Sequence, residues 1–194
     1  MERVTASEIA EEVINLLISN GGSEYIGEPV TKLEHMVQSA EIAAEMGLGE
    51  DLVLAALLHD IGHICVPTTE SNNMGGLGLQ DHEFLGATYL QSRGFSEIVI
   101  QSVALHVAAK RYLCYKYPEY LSLLSDASLQ TLALQGGSMS ESEANIFEQN
   151  PYMNDIIAIR RIDEQAKIPN KALPESFDIY KQMMIRHLQK SQIE

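Results

Sequence analysis

An all-α protein is what the sequence predicts, on three observations. Apolar residues recur at three- and four-residue intervals over most of the 194 positions, β-branched residues are scattered through those patterns without alternating, and Gly, Pro and Asn gather between the periodic stretches. The expected architecture is a helical bundle of about eight to ten helices forming one domain over 1–194.

In chain order, Ile9, Val13, Leu16 and Leu17 share a face behind a cap at Thr5 or Ser7, which gives a first helix over 6–19. Pro29 stands where a first helical residue belongs, and Leu33, Met36, Val37, Ala40 and Ala44 carry a second helix to Gly47. The third, EDLVLAALLHDIGH, is apolar nearly all round and marks the buried centre. Residues 64–80 hold a succession of breakers and form a loop long enough to be a lid. Asp81 and Ser96 are read as N-caps for helices over 82–92 and 97–114, and Pro118 opens another reaching Leu124. Further helices are expected over 127–135, over 141–149 behind the capping box of Ser140 and Glu143, over 151–167 and over 175–190. No internal repeat or low-complexity tract interrupts them.

Charge narrows the partners. Thirteen Lys+Arg against 27 Asp+Glu leave a net charge of −14, with no basic run, which argues against nucleic acid and anionic membrane surfaces because both are bound by neutralising phosphates. No apolar run approaches the length of a membrane span, and the acidic, amphipathic N-terminus lacks the basic segment of a signal peptide. Cys65 and Cys114 have no zinc-knuckle or CxxC spacing, and a chain of this length needs no disulfide to hold a core. A cytoplasmic location without an obligate protein partner is expected.

The chemistry concentrates in His35, the pair His59-Asp60, His82 and His106, spaced by 24, 23 and 24 residues. Each interval is one helix plus its connection, so all can face one core at one level. A lone helical histidine is ordinarily a satisfied core residue; four at matched intervals are not. An ionisable pair following VLAALL is costly unless a cation holds it. Imidazole and carboxylate donors without nearby thiolates suit iron, manganese, zinc or cobalt and disfavour structural zinc or an iron–sulfur cluster. Asp163, in a helix beside Ile156, Ile159 and Ile162, is the later carboxylate that completes the set. With Asp60 free to bridge, two metals are the economical count. Lys110, four residues after His106, projects from the same helix face and is placed to meet an anionic substrate. Tyr25 and Glu28 lie in the turn before the His35 helix, close enough to overhang the site; a core-capping tyrosine with a glutamate favoured by the helix dipole is the alternative.

HDIGH, with a histidine upstream and a distant aspartate, resembles the HD-domain superfamily of helical metalloproteins. The segments EYIGEPVTKLEH, LAALLHDIGH, MGGLGLQDHEFLGATYL, LHVAAKRYL, LSDAS and QGGSM resemble its mixed-valent diiron oxygenases, which include inositol oxygenase and, nearer in size, the PhnZ-type oxygenases that cleave 2-amino-1-hydroxyethylphosphonate. That resemblance implies two iron ions, Fe(II)/Fe(III) in the active form, and O2 as co-substrate. One iron would be held by His35, His59, Asp60 and Asp163, the other by Asp60, His82 and His106. His63, Lys110 and Ser128 would line the phosphonate end, with Thr131 and Arg160 completing the pocket. Tyr25 would occupy the open iron position until substrate arrives, Glu28 would draw in the substrate ammonium, and loop 64–80 would close over the site. The implied reaction is C–P bond cleavage of a small organophosphonate to glycine and phosphate. The alternative is the N-trimethylated substrate giving glycine betaine, which would want an aromatic cage; the chain has no Trp, although Tyr side chains could serve, and the primary amine ranks first. The rivals are a dinuclear phosphohydrolase on the same ligands and a non-catalytic binding module, which the complete ligand set disfavours.

Overall fold

A helix with no polar face must be surrounded, and α3 (Glu50–Leu58) is: every residue from Val53 to Leu58 is buried. In the computed structural model, which describes residues 4–25 and 27–191, α2 (Lys32–Glu45) and α6 (Glu97–Lys116) pack against α3, joined by α9 (Met153–Gln165) and α10 (Asp178–Ser191). α1 (Ala6–Asn20) lies on α10, and α5 (His82–Gln91) bridges α6 and the short α4 (Gly62–Cys65). α7 (Asp126–Leu134), α8 (Glu141–Phe147) and a 3₁₀ turn at Pro118–Leu123 complete the set. The described residues thus hold ten α-helices and one 3₁₀ helix, and the only β pairings among them are the isolated bridges Glu24–Thr31 and Asn73–Leu79. The protein is all-α, as its periodicity predicts.

Two apolar clusters share α6. Val99 and Val103 belong to the larger, built on α1, α2, α3 and α10, whereas Ala109, Tyr112 and Leu113 belong to a smaller one with Leu132, Phe147 and Ile156. His106 and Lys110 fall where one gives way to the other, so the chemistry sits at the seam. A fully buried leucine such as Leu54, Leu57 or Leu58 contributes about 1.5–3 kcal/mol. Several such residues in α3 hold the histidine-bearing end of the helix in place.

Several helix ends and caps differ from expectation, α10 for one starting at Asp178 rather than at 175. α2 starts at Lys32 rather than Pro29, because Thr31 accepts from the Glu34 N–H while the Glu34 carboxylate accepts from the Thr31 N–H. Residues 23–25 and 27–31 instead fold back, Tyr25 N–H donating to Val30 O and Lys32 N–H to Ser23 O. The EDLVLAALLHDIGH helix is broken: α3 ends at Leu58, and i→i−3 bonds from Ile61 to Leu58 and from His63 to Asp60 tighten the chain before α4. Gly62 permits the break, since a Cβ there would lie 1.8 Å from the His82 carbonyl oxygen. Asp81 precedes α5 in the left-handed region (φ 58°), and neither its side chain nor that of Ser96 makes a capping bond. Finally, α9 begins at Met153 and ends at Gln165, which leaves Lys167 beyond the helix.

Candidate metal centre

Four imidazoles and two carboxylates converge in the core, each almost completely buried. His35 comes from α2, His59 and Asp60 from the turn closing α3, His82 from the start of α5, His106 from α6 and Asp163 from α9. The histidines form two pairs, with Nε2 atoms 3.0 Å apart for His35 and His59 and 3.2 Å apart for His82 and His106. Asp60 lies between the pairs. Its Oδ2 is 3.7 Å from His35 Nε2 and 3.4 Å from His59 Nε2, while its Oδ1 is 3.3 Å from His82 Nε2 and 3.5 Å from His106 Nε2. Asp163 Oδ1 adds to the first pair, 3.2 Å from His35 Nε2.

What the backbone does at the far side of each ring decides the chemistry. His35 Nδ1 lies 2.8 Å from Ala166 O, His59 Nδ1 2.8 Å from Ala56 O, His82 Nδ1 3.2 Å from Leu79 O and His106 Nδ1 2.7 Å from Val103 O. A carbonyl only accepts, so each Nδ1 carries the proton and each neutral ring turns an Nε2 lone pair inward. Four lone pairs and a buried Asp60 Oδ2 that has no hydrogen-bond partner are mutually repulsive until a cation lies among them. The donor set fits metal ions.

Titration reflects the same frustration. Burial works to raise the Asp60 and Asp163 carboxyls, but the imidazoles around Asp60, and Arg160 with His35 and His59 around Asp163, hold both well below the usual range. Burial opposes charging His59, yet Asp60 and Asp163 bring it up to about 9. His106 is pushed down to about 3 by burial and by His82. Without metal, the cluster must keep protons on some imidazoles to neutralise its carboxylates.

His63 has the opposite tautomer. It is close enough to Asp60 and His82 to be grouped with them as a ligand, but its Nδ1 accepts the Leu79 N–H at 3.2 Å, so its Nε2 carries the proton. It stacks on His82 at 4.0 Å, with its Nε2–H available as a donor.

A cavity of about 40 Å³ adjoins the cluster, with room for about one water molecule. Tyr25, His63, Lys110, Ser128, Thr131 and Arg160 all line it, together with Asp60, His82, His106 and Asp163. The Tyr25 ring lies against His35 (4.0 Å between centroids, 14° between planes), and burial, reinforced by Asp60 and Asp163, keeps its phenol protonated. Lys110 Nζ donates to Thr131 Oγ1 at 2.9 Å; burial and the Arg160 charge bring its ammonium down to about 7. Arg160 binds Asp163 and Glu164 and reaches the Tyr120 hydroxyl through Nε at 3.3 Å.

Glu28 is not among the cavity-lining residues. Its carboxylate accepts from Ser125 Oγ at 2.6 Å and from Lys167 Nζ at 3.0 Å, behind Ser128. Sequence reasoning missed Lys167, which is 139 residues from Glu28, and Gln135, which lines the cavity with its buried Oε1 unpartnered. Gln135 opens the QGGSM segment and Lys167 follows IDEQA, and neither carries a local signal of its own. Loop residues Met74 and Leu77 form part of the cavity wall.

A helical fold with an inward His-Asp pair at the end of its most buried helix defines a class, the HD metalloproteins, and comparison agrees: the HD domain family matches residues 33–141. The chain belongs to the HD-domain family. It is 39% identical over 180 residues to the [1-hydroxy-2-(trimethylamino)ethyl]phosphonate dioxygenase (glycine-betaine-forming) of Leisingera caerulea, covering 90% of this chain and 88% of that protein. It is 37% identical over 159 residues to the hydroxymethylphosphonate dioxygenase of Gimesia maris, covering 82% and 79%, and 43% identical over 179 residues to the uncharacterized protein L432 of Acanthamoeba polyphaga mimivirus, covering 92% and 81%. With these relatives and this centre, the protein is a metal-dependent enzyme of the oxygenase type. No helix among the described residues is long and apolar enough to cross a membrane.

Proposed function

We propose that the protein cleaves the C–P bond of a small 1-hydroxyphosphonate with O2, and that 2-amino-1-hydroxyethylphosphonate, giving glycine and phosphate, is its substrate. The observation that carries this reading is the bridging Asp60, one oxygen toward each histidine pair, beside a wall holding Lys110, Thr131, Ser128 and Arg160. In it, His35, His59, Asp60 and Asp163 hold one iron and Asp60, His82 and His106 the other. Bound iron supplies the redox chemistry with O2.

The chain's residues do the rest. Lys110, Ser128 and the Nε2–H of His63 donate to the phosphonate oxygens, Thr131 positions Lys110 by accepting from its Nζ while donating to the Ser128 carbonyl, and Arg160 fixes Asp163 while adding positive charge. Tyr25 leaves its stack on His35 to admit the substrate, because the resting cavity is too small for a tetrahedral phosphonate and a hydroxyl. Glu28, paired with Lys167 outside the cavity, has to exchange that ammonium for the substrate's to draw it in. A primary amine can make that exchange through an N–H donor, which a trimethylated one lacks. The equation balances without another reductant: the C–H and C–P bonds break, the carbinol carbon loses four electrons, O2 gains them, and a carboxylate, phosphate and a proton are released. The free thiols Cys65 and Cys114 fit a cytoplasmic location, where ferrous iron also stays reduced.

The test is a panel. Fe(II)-loaded protein is mixed anaerobically with 2-amino-1-hydroxyethylphosphonate, its trimethylated analogue or hydroxymethylphosphonate, exposed to O2, and assayed for phosphate and the organic acid. The primary amine should turn over fastest, with glycine as product. Preference for either comparison compound overturns the substrate; hydrolysis of a phosphoester without O2 overturns the reaction.

A further inference from the structure

The inner cavity is too small for any hydroxyphosphonate, but a second pocket of about 240 Å³ lies directly outside it. His63 lines both, so one imidazole is the partition. The loop before α5 is the rest of the wall: Met74 and Leu77 face the inner cavity, Asn73, Gly76 and Gly78 the outer pocket. Glu24 and Gly27, on either side of Tyr25 in the turn that must open, also line the outer pocket. It is an adjoining space large enough to receive a substrate before the Tyr25 turn moves.

Its cation is Lys32. The ammonium donates to Ser23 Oγ at 2.7 Å and to the Glu24 carbonyl at 3.2 Å, which fixes its position and leaves its third N–H for a ligand. The surrounding protein carries a net charge of −14, which repels a dianion. A fixed cation in a cleft gives that dianion a local path, since narrow low-dielectric walls focus its field. Glu24 lines the same pocket, and its negative charge suits a molecule with an ammonium at its other end.

We propose that this outer pocket is the first docking site of the incoming phosphonate dianion, anchored by Lys32, from which it passes His63 into the metal cavity. The assignment of the ligand rests on the hydroxyphosphonate reading above. Lys32→Met keeps the aliphatic stem and the Thr31 cap. It should lower kcat/KM for the hydroxyphosphonate about tenfold while changing kcat much less, and added salt should shrink the difference between variant and parent. Equal falls in kcat and kcat/KM, or no fall, overturn the proposal. Phosphorus NMR line broadening of hydroxymethylphosphonate by the protein gives a readout independent of turnover, and the variant should lose it. Broadening that depends on Lys32 in a protein that turns over no hydroxyphosphonate keeps the pocket and removes the reaction; turnover indifferent to Lys32 does the reverse. Tighter binding of inorganic phosphate than of hydroxymethylphosphonate would assign the pocket to the departing product and overturn its role in substrate docking.

Discussion

Lys110 illustrates how one residue is set for its task by burial. Its ammonium lies among Thr131, Arg160 and the metal cluster with a pKa of about 7, so in the empty site it loses its proton as pH rises through that value. An arriving phosphonate favours the charged form, so in the assigned role kcat/KM falls on the alkaline side of about 7. Lys110→Met should lower kcat/KM by about 10- to 100-fold, the worth of a hydrogen bond to a charged group, and remove that alkaline limb from the pH profile. A variant that keeps the limb would show that it belongs to the phosphonate or a metal ligand. The residue scale is also where the sequence was most legible. His59 and Asp60 stood out because the apolar VLAALL run makes an uncompensated ionisable pair expensive, and Asp163 because its helix phase places it beside three isoleucines. The pairing of Glu28 with Lys167 was not legible, because a contact between residues 139 apart leaves no trace in local spacing.

Helix ends, more than helix bodies, build this site. The break after Leu58 brings His59 Nε2 to 3.4 Å from Asp60 Oδ2, and Gly62 brings α4 onto the first turn of α5, where His82 stands. A Cβ on Gly62 would meet the His82 carbonyl carbon at 2.7 Å and the Gly86 nitrogen at 2.9 Å as well as the His82 oxygen, all backbone atoms that cannot swing aside. Gly62→Ala should therefore cost about 3 kcal/mol, read from the urea midpoint, and lower metal content by displacing His82. Unchanged stability would mean that the α4–α5 contact is looser than it stands. Helical periodicity located the helix bodies but merged α3 and α4, since Leu58 through His63 keep an apolar pattern across the break. Only the close approach of another backbone reveals why the glycine is there. The shift of α2 from Pro29 to Lys32 has a similar origin: Thr31 with Glu34 makes a better terminus than the proline, and the bridge from Glu24 to Thr31 claims the residues between.

At the scale of the whole molecule, an acidic exterior encloses a cluster whose carboxylates need cations. Burial of Asp60 and Asp163 at the seam of two apolar clusters is unfavourable in the metal-free chain, and metal bound only by the folded state offsets it. A site occupied at about 100 times its dissociation constant adds about 2.7 kcal/mol, so chelation should lower Tm by about 5–10 °C in a chain of this size. Metal binding should also release protons near neutral pH, because His59 holds one up to about 9 in the empty cluster. A Tm indifferent to chelator, with no proton release on reloading, would separate the cluster from metal. The net charge of −14 disfavours polyanions, while in the proposed function the metal cations, Lys110 and Arg160 would make the interior selective for a small anion.

The central claim is that this centre spends O2 to break a C–P bond. It is tested most directly by following O2 uptake and phosphate release together after Fe(II)-loaded protein meets 2-amino-1-hydroxyethylphosphonate. The four-electron balance predicts about one phosphate per O2 consumed, and none before O2 is admitted. Phosphate appearing anaerobically, or O2 uptake without phosphate, would contradict it.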